Sequence, residues 1–185
     1  GSPNVGRISY AQLRRRFGIY KKAPVKTMEL LNSPDNGTIA GEGAAFFTLG
    51  ITKGPGCVAE LSGVSTLYRP LWEGEVIGHI MKFLEDNNAT PADIDLIVTG
   101  RNGDIDHDEV YEEVAAALFP EHAEASFKHL CGEYPTAAAF GVWMANAVIA
   151  EQQVPDAAVF YGKAPEQIKK VLLYNHHQGT HHSLV

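Results

Sequence analysis

The chain has 185 residues, of which 45% are hydrophobic and 20% are charged, so it can bury a core and is not expected to be disordered. Its formal net charge of -7 argues against a nucleic-acid partner, because phosphate binding requires a surplus of Lys and Arg. No apolar run approaches the roughly 20 residues needed to span a bilayer, and no secretory signal opens the chain. Two cysteines, Cys57 and Cys131, favour a reducing compartment, so we predict a cytoplasmic protein without a membrane span.

The N-terminal region is predicted to contain a short helix over residues 9–17, because Ser9 can cap it and Gly18 can stop it. A basic cluster lies there: Arg14, Arg15 and Arg16, with Lys21 and Lys22 nearby. The cluster is interpreted either as a solvated helix face or as a docking patch for an acidic partner. Gly1 is not an initiator, so we expect a processing boundary before it.

Two strands are predicted next. Residues 44–51 form a nearly continuous apolar run, which is typical of a buried strand. Residues 57–68 alternate and are rich in Val, Leu, Ser and Thr. The turn sequence Gly54-Pro55-Gly56 separates them, so we expect an antiparallel hairpin.

The rest of the chain alternates helices and strands. Residues 71–87 predict an amphipathic helix whose apolar face carries Val76, Ile80, Phe83 and Leu84. The further predicted elements are a helical turn at 90–93, strand 94–99, loop 100–106, helix 107–118, a strand or extended link at Ser126, helix 134–151, and strands 159–161 and 170–174, followed by the histidine-rich residues 176–185. This order predicts an α/β fold: a mixed, mostly buried sheet with helices packed on it, one of them rich in small residues.

A glycine motif near the first strand carries a family resemblance. The turn Asp35-Asn36-Gly37 is followed by Gly41-Glu42-Gly43-Ala44 and then by the apolar run. This arrangement resembles the β-ketoacyl synthase family, which has a thiolase fold and reads Arg-Asp-Gly, then Gly-Glu-Gly-Ala, then a strand. The resemblance implies a thiolase-like half.

Later segments follow the family's order. Gly100 falls where the family has its first histidine, and Asp108 matches the acidic residue after it. Ser126, Lys128 and Gly132 match the Ser-x-Lys-x-x-x-Gly-His motif, with Glu133 at the second histidine. Of the closing glycine loop only Gly179 is clearly kept, and it is the candidate substrate-binding position.

The resemblance covers residues 34–185, corresponding to the C-terminal half of a synthase, after an N-terminal helical segment over residues 1–33. The family's nucleophilic cysteine belongs to the other half. Cys131 does not replace it, because it lies in the lysine-glycine motif, and Cys57 is expected in a strand.

The resemblance implies a non-catalytic ketosynthase-like subunit or domain of fatty-acid or polyketide-type biosynthesis, similar to a chain-length factor. It would pair with an active ketosynthase or an acyl-carrier protein. The resemblance is compatible with either a homodimer or a heterodimer. One alternative is an acyltransferase that uses Lys128 and Glu133 in altered acid-base chemistry, with Asp108 as a further candidate catalytic position of the family. Another is half of an active synthase whose cysteine lies in a missing N-terminal portion. We expect Lys128 to pair with Glu133 or Asp108.

The histidines leave a third alternative, a metal-dependent enzyme. Adjacent histidines on a strand point to opposite faces, so neither His176-His177 nor His181-His182 offers two ligands to one metal. His177 and His181 could meet across a loop. We therefore predict no metal and no cofactor, and we interpret His107 at its helix start as part of a cap.

Overall fold

A six-stranded mixed sheet forms the centre of the computed structural model, which describes Arg14 and residues 16–185. The strands are β1 (Ser65–Tyr68), β2 (Leu96–Thr99), β3 (Ala123–Ser126), β4 (Val159–Tyr161), β5 (Val171–His177) and β6 (His181–Leu184). Their order across the sheet is β1-β6-β5-β2-β3-β4. Strand β2 runs parallel to β3 and β5, whereas β1, β4 and β6 pair antiparallel to their neighbours. The predicted mixed α/β fold class is confirmed.

In the part of the chain that the structure describes, four α-helices lie between the strands: α1 (Glu73–Asp86), α2 (Ile105–Leu118), α3 (Lys128–Cys131) and α4 (Ala137–Glu151). Short 3-10 turns occupy Thr27–Asn32, Pro91–Asp93 and Asp156–Ala158. The turn at Pro91 is closed by a capping box, in which the Thr90 backbone N–H donates to Asp93 Oδ2 at 2.8 Å.

The sheet separates two apolar cores. Helices α1 and α2 cover one face, where Val76, Ile80, Phe83 and Leu84 are buried as the periodicity predicted. Helix α4 covers the other face. Because successive strand residues point to opposite faces, Leu172 enters the first core and Leu173 enters the second.

The small residues of α4 let it sit close to the sheet. At Gly141 an added Cβ would lie 2.8 Å from the Phe127 ring and 2.9 Å from Leu173 Cδ1. The helix begins at Ala137, three residues later than the predicted start at Tyr134. The prediction that this helix packs deeply is confirmed.

The predicted hairpin over residues 44–68 is wrong. Residues 44–51 form no strand, and most of their apolar side chains are exposed, fully so at Ile51. The turn at Gly54 does form, because the Cys57 N–H donates to the Gly54 carbonyl, but the segments flanking it do not pair. The second strand shrinks to β1, which pairs with β6 instead. An apolar run predicts a buried segment, but it does not show which strand that segment would pair with.

The histidine-rich end forms a hairpin that the sequence pattern did not indicate. Strand β5 extends to His177, and β6 returns antiparallel to it. Gln178 and Gly179 adopt φ values of 51° and 60°, and the Thr180 N–H donates to the His177 carbonyl at 3.1 Å. Positive φ at both central residues matches the twist of the flanking strands.

Most of the helix predicted over residues 9–17, together with Arg15 of the basic cluster, lies outside the described residues. Downstream of them, Leu30 is fully buried and Lys21 donates to the Gly103 carbonyl at 2.7 Å, so this segment packs on the body. The division at residues 33 and 34 stays a prediction. Among the described residues, no helix is both long and apolar enough to cross a membrane.

Replacement by alanine is expected to have opposite effects on stability at two helix glycines, Gly141 in α4 and Gly78 in α1. Gly141→Ala should lower the free energy of unfolding by about 1–3 kcal/mol, because the added methyl displaces two core side chains. Gly78→Ala in α1 meets nothing within 4 Å and should raise it by up to about 1 kcal/mol through helix propensity. Urea unfolding of both variants measures the difference. Equal stabilisation of both would contradict the close approach.

Candidate functional site

Polar side chains meet at one edge of the sheet, where β2, β3 and β5 end. These three parallel strands carry their carboxyl ends to the same edge, which is where open α/β sheets place ligand sites. The loop after β2 supplies Asn102, helix α3 after β3 supplies Lys128, and the end of β5 supplies His177. All three side chains contact Glu133, which follows α3.

Both oxygens of the Glu133 carboxylate have polar partners. It is 5% exposed, and Lys128 Nζ donates to its Oε2 at 2.7 Å. Asn102 Nδ2 donates to the same oxygen at 2.8 Å. The Nδ1 atom of His177 lies 3.3 Å from Oε1. A buried charge requires this kind of pairing.

The environment keeps Glu133 ionised. Burial by itself raises the pKa of this carboxyl group. The hydrogen bond from His177 and the charge of Lys128 outweigh burial and lower the pKa from 4.5 to about 2. Glu133 is therefore an anion throughout the physiological pH range.

Lys128 is held at two points. Besides Glu133, its Nζ donates to the backbone carbonyl of His176 at 2.8 Å, and the side chain is 1% exposed. Ser126, the last residue of β3, fixes the start of this segment by donating to the Arg101 carbonyl at 3.3 Å. Lys128 thus pairs with Glu133, one of the two partners that the sequence suggested.

The two glycine motifs of the sequence meet beside Glu133. The Gly41 N–H donates to the Glu133 carbonyl, and the Glu133 N–H donates to the Ile39 carbonyl. An added Cβ at Gly132, whose φ is 75°, would lie 2.5 Å from Gly41 Cα. Only glycines allow these backbones to approach, so the Gly-Glu-Gly segment holds the Glu133 loop in place.

Asp108 orders the loop after β2. Its carboxylate accepts backbone hydrogen bonds from Asn102 at 3.1 Å and from Gly103 at 2.8 Å. Burial raises its pKa to about 6, although these backbone donors oppose the shift. The residue predicted as part of the chemistry thus shapes the loop that presents Asn102.

Gly100 has no room for a side chain. An added Cβ would lie 2.2 Å from Asn175 Oδ1 and 2.9 Å from the Tyr111 hydroxyl. The Gly100 N–H donates to the Tyr174 carbonyl, which continues the pairing of β2 with β5. The side chain that reaches Glu133 from this loop belongs to Asn102.

A second buried ion pair lies under the site, and the sequence analysis did not predict it. Arg101 Nε donates to Glu124 Oε1 at 2.6 Å, and both side chains are 4% exposed. Thr99 Oγ1 donates to the same oxygen at 2.6 Å. The Arg101 guanidinium also stacks over Phe160 at 4.4 Å from the ring centroid.

A cavity of about 350 Å³ opens above Glu133. Its polar lining includes Thr38, Asn102, Asp104, His107, Glu133 and Gln178. Gly100 is not part of this lining. Gly179 lies next to the cavity in the β5–β6 turn, where an added Cβ would be 3.0 Å from His107 Cδ2.

The histidines have separate partners. His176 is buried against Tyr111, with ring centroids 4.6 Å apart, whereas His177 points to Glu133. The expectation that they face opposite sides is confirmed. Within the described part of the chain, no three His, Cys, Asp or Glu side chains are arranged to hold a metal ion.

Both cysteines are placed differently from a reactive thiol at a helix start. Burial raises the pKa of Cys131 to about 11, so this thiol is protonated at neutral pH. Cys57 is exposed in the turn at Gly54 and not in the strand predicted for it.

Comparison with known proteins gave matches among solved structures only. No family model matches the chain, and no curated protein matches it. One similar structure is AntDE:AntF (apo), a type II PKS acyl-carrier protein in complex with its ketosynthase bound to the hexaketide, with a TM-score of 0.49 and 19% identity over 69% of this chain and 37% of that chain. Another is the oxazolomycin ketosynthase domain OzmH KS8 of Streptomyces albus JA3453, with a TM-score of 0.49 and 13% identity over 66% of this chain and 42% of that chain. The chain therefore spans about two fifths of the length of either structure.

The low pKa of Glu133 predicts an acid-dependent contribution to stability. The folded pKa lies below the unfolded one, so the stabilisation is complete above pH 4.5 and is lost as the pH falls toward 2. Each tenfold change in proton affinity is worth about 1.4 kcal/mol, so the lowering from 4.5 to about 2 is worth about 3 kcal/mol. Glu133→Gln should therefore cost about 3–5 kcal/mol at pH 7, because it also leaves Lys128 buried without an anion. The difference from the unmodified protein should shrink below pH 4.5.

Denaturant unfolding at several pH values from 7 to 3 measures the loss of stability caused by Glu133→Gln. The matched control is Asp86→Asn, which removes the exposed Lys82–Asp86 pair and should cost at most about 1 kcal/mol. A Glu133→Gln cost as small as that of the control at pH 7 would show that the buried pair does not have the assigned role.

Proposed function

We propose that this chain is a ketosynthase-like subunit or domain that has lost condensation chemistry and acts by pairing with an active ketosynthase or an acyl-carrier protein. The observation that carries the proposal is the Glu133 carboxylate, which is buried, ionised and hydrogen-bonded. The sequence resemblance assigns this position to an imidazole of the ketosynthase family. The motifs of the sequence supply the family resemblance.

The charge of Glu133 is incompatible with the role of that imidazole. Condensation generates an oxyanion, and donors stabilise it, whereas a fixed carboxylate nearby raises its energy. Lys128 could supply a positive charge, but two of its three N–H donors are directed to Glu133 and to the His176 carbonyl. The pair is therefore better suited to structure than to proton transfer.

The other family positions support the same conclusion. Gly100, which the resemblance assigns to the first histidine, has no space for a side chain, because Asn175 and Tyr111 occupy it. Cys131 keeps its proton at neutral pH. A decarboxylative condensation without a histidine pair and a thiolate has neither its nucleophile nor its oxyanion donors.

One observation favours the alternative of altered acyl chemistry: Glu133 lines the cavity of about 350 Å³ and so can meet a ligand. In that case Glu133 and Lys128 would exchange protons with a bound acyl thioester. A third reading, half of an active synthase, requires a cysteine supplied by another segment.

The proposal predicts no condensation by this chain alone. Incubation with an acyl-loaded carrier and a malonyl-loaded carrier should give no extended product and no carbon dioxide above a blank, by mass spectrometry of the carriers. Product that disappears in Glu133→Ala and in Lys128→Ala, but persists in Asp86→Asn, would establish the altered enzyme instead. Condensation restored only by a separately supplied N-terminal ketosynthase half would establish the split synthase.

Pairing has its own measurement. The chain mixed with an active ketosynthase, or with an acyl-carrier protein, should sediment as a defined complex at micromolar concentration. An acidic protein of the carrier's size is the control. Absence of a complex with both partners contradicts the pairing, whatever the outcome of the condensation assay.

A further inference from the structure

Two buried histidines hold the turn between β5 and β6. His176 lies near the end of β5, and His182 lies directly opposite it on β6, with ring centroids 5.5 Å apart. The two residues are 0% and 4% exposed. Because directly paired residues point to the same face of a hairpin, both imidazoles reach the backbone of one turn residue, Gly179, from the same side.

The hydrogen bonds of His176 fix its protonation state. Its Nδ1 accepts the Gly179 N–H at 3.2 Å, so this nitrogen carries a lone pair and no proton. Its Nε2 lies 2.8 Å from the His107 carbonyl oxygen, which can only accept, so Nε2 carries the ring proton. His176 is therefore neutral. A proton added at Nδ1 would set two N–H donors against each other and break the hydrogen bond to Gly179.

His182 holds the other backbone group of the same turn residue. Its Nε2 donates to the Gly179 carbonyl at 3.1 Å, and its Nδ1 accepts from the Tyr174 hydroxyl at 2.9 Å. Burial lowers the pKa of His182, and the nearby His79 and His181 add to this effect, while the hydrogen bond to Gly179 opposes it. Two neutral imidazoles thus engage both the N–H and the carbonyl of Gly179.

The surroundings of His176 disfavour a positive charge on its ring. Burial lowers its pKa well below the usual 6.5, and the charges of Lys128 on α3, His182 on β6 and His107 on α2 add to this effect. The hydrogen bond to the His107 carbonyl opposes the shift and does not reverse it. The closed turn therefore requires an uncharged ring at this position.

The carboxylates near this ring are already engaged. Asp108 and Glu133 both act on the hydroxyl of Tyr111, which stacks on His176 with centroids 4.6 Å apart. Glu133 is paired with Lys128, and Asp108 accepts N–H groups of the loop after β2. Among the described residues, a protonated His176 in the closed turn would thus have no carboxylate partner.

Two groups on α2 titrate in a similar pH range but do not favour opening. Burial raises the pKa of Asp108 to about 6, and the hydrogen bond with Asp104 raises the pKa of His107. Because both groups bind a proton more readily in the folded chain than in an unfolded one, their protonation stabilises the folded structure.

We propose that His176 and His182 form a pH-sensitive switch, which holds the β5–β6 turn against the cavity above Glu133 and releases it when the imidazoles are protonated. Gln178, the other central residue of the turn, lines that cavity, so release opens this side of it. The end of β5 stays in place, because Lys128 donates to the His176 carbonyl and a protonated His177 is attracted to Glu133. The movement is therefore confined to the turn and the start of β6, and the switch is independent of the proposed function.

The direction of the pH effect follows from the neutral state of the closed turn. A histidine in the released turn regains its usual pKa of 6.5, so below this pH the open state binds more protons than the closed state. The closed turn is fully stable above pH 6.5 and loses stability as the pH falls toward the lowered pKa values. Each histidine raises the ratio of open to closed turns about tenfold per pH unit, and the two together raise it about 100-fold.

Amide hydrogen exchange of the full chain, measured by NMR after uniform ¹⁵N labelling, tests the switch. The reference is the Ala89 N–H at the end of α1, which donates to the Leu84 carbonyl at 2.8 Å. Relative to it, the protection of the Gly179 N–H should fall about 100-fold between pH 5.5 and pH 4.5. The ring ¹⁵N signals of His176 and His182 at pH 7.5 should show a proton on Nε2 and none on Nδ1.

Two variants separate the contributions of the histidines. His176→Asn places an amide oxygen near the position of Nδ1, and His182→Gln keeps an N–H donor near the position of Nε2, but neither side chain binds a proton in this range. Each variant should reduce the fall in Gly179 protection to about tenfold. His181→Gln, at an exposed position of the same hairpin, is the matched control and should keep the 100-fold fall.

Three results would overturn the proposal. One is Gly179 protection that changes less than about threefold relative to Ala89 between pH 5.5 and pH 4.5. Another is a combined His176→Asn and His182→Gln variant that folds and keeps the full pH dependence. The third is a proton on Nδ1 of His176 at pH 7.5, and this result, like the first, is measured on the unmodified chain, so a variant that does not fold leaves the test intact.

Discussion

The buried ion pair between Lys128 and Glu133 constrains everything at the carboxyl edge of the sheet. Two charges removed from water are tolerated only if each finds its partners, because a buried unpaired charge costs several kcal/mol. The pair therefore fixes the backbone of β5 through the His176 carbonyl, and it fixes the loop after β2 through Asn102. It also requires the close contact of Gly41 with Gly132, which returns the chain to Lys128. Segments from four parts of the sequence are thus held by one electrostatic requirement.

The same requirement divides the cavity into two chemically different walls. On the Glu133 wall the carboxylate, Lys128 Nζ and Asn102 Nδ2 all have partners, and these contacts lower the pKa of Glu133. On the opposite wall His107 keeps one open nitrogen and Thr38 keeps an unpaired hydroxyl. A satisfied network gives rigidity, whereas unsatisfied groups are the ones that can gain energy from a ligand.

Local periodicity predicted most of the elements, and long-range pairing explains the failures. The apolar face of α1 and the short strand β2 follow from patterns within a few residues. Residues 44–51 form no strand. The prediction failed because a run of apolar residues does not show which segment it would pair with. The Lys128–Glu133 pair could be predicted from the sequence, since the two residues lie only five positions apart, shortly after the end of a strand. Asn102 and His177 reach the same carboxylate from 31 and 44 residues away, which a single sequence does not reveal. Glu124 was missed for the same reason, since nothing near it in the chain identifies Arg101 as its partner.

The uncovered apolar surface links the fold to the proposed pairing. Phe46 and Ile51 are almost entirely in water, and Trp143 on α4 is 51% exposed. Each large apolar side chain gains about 1.5–3 kcal/mol when it is buried. A helix as uniformly apolar as α4 normally lies in a protein interior, yet only one of its sides meets the sheet. Large exposed apolar patches mark interaction sites in soluble proteins. A partner that covered the segment around Phe46 and the outer side of α4, as in the proposed pairing, would therefore gain affinity from burial of these side chains.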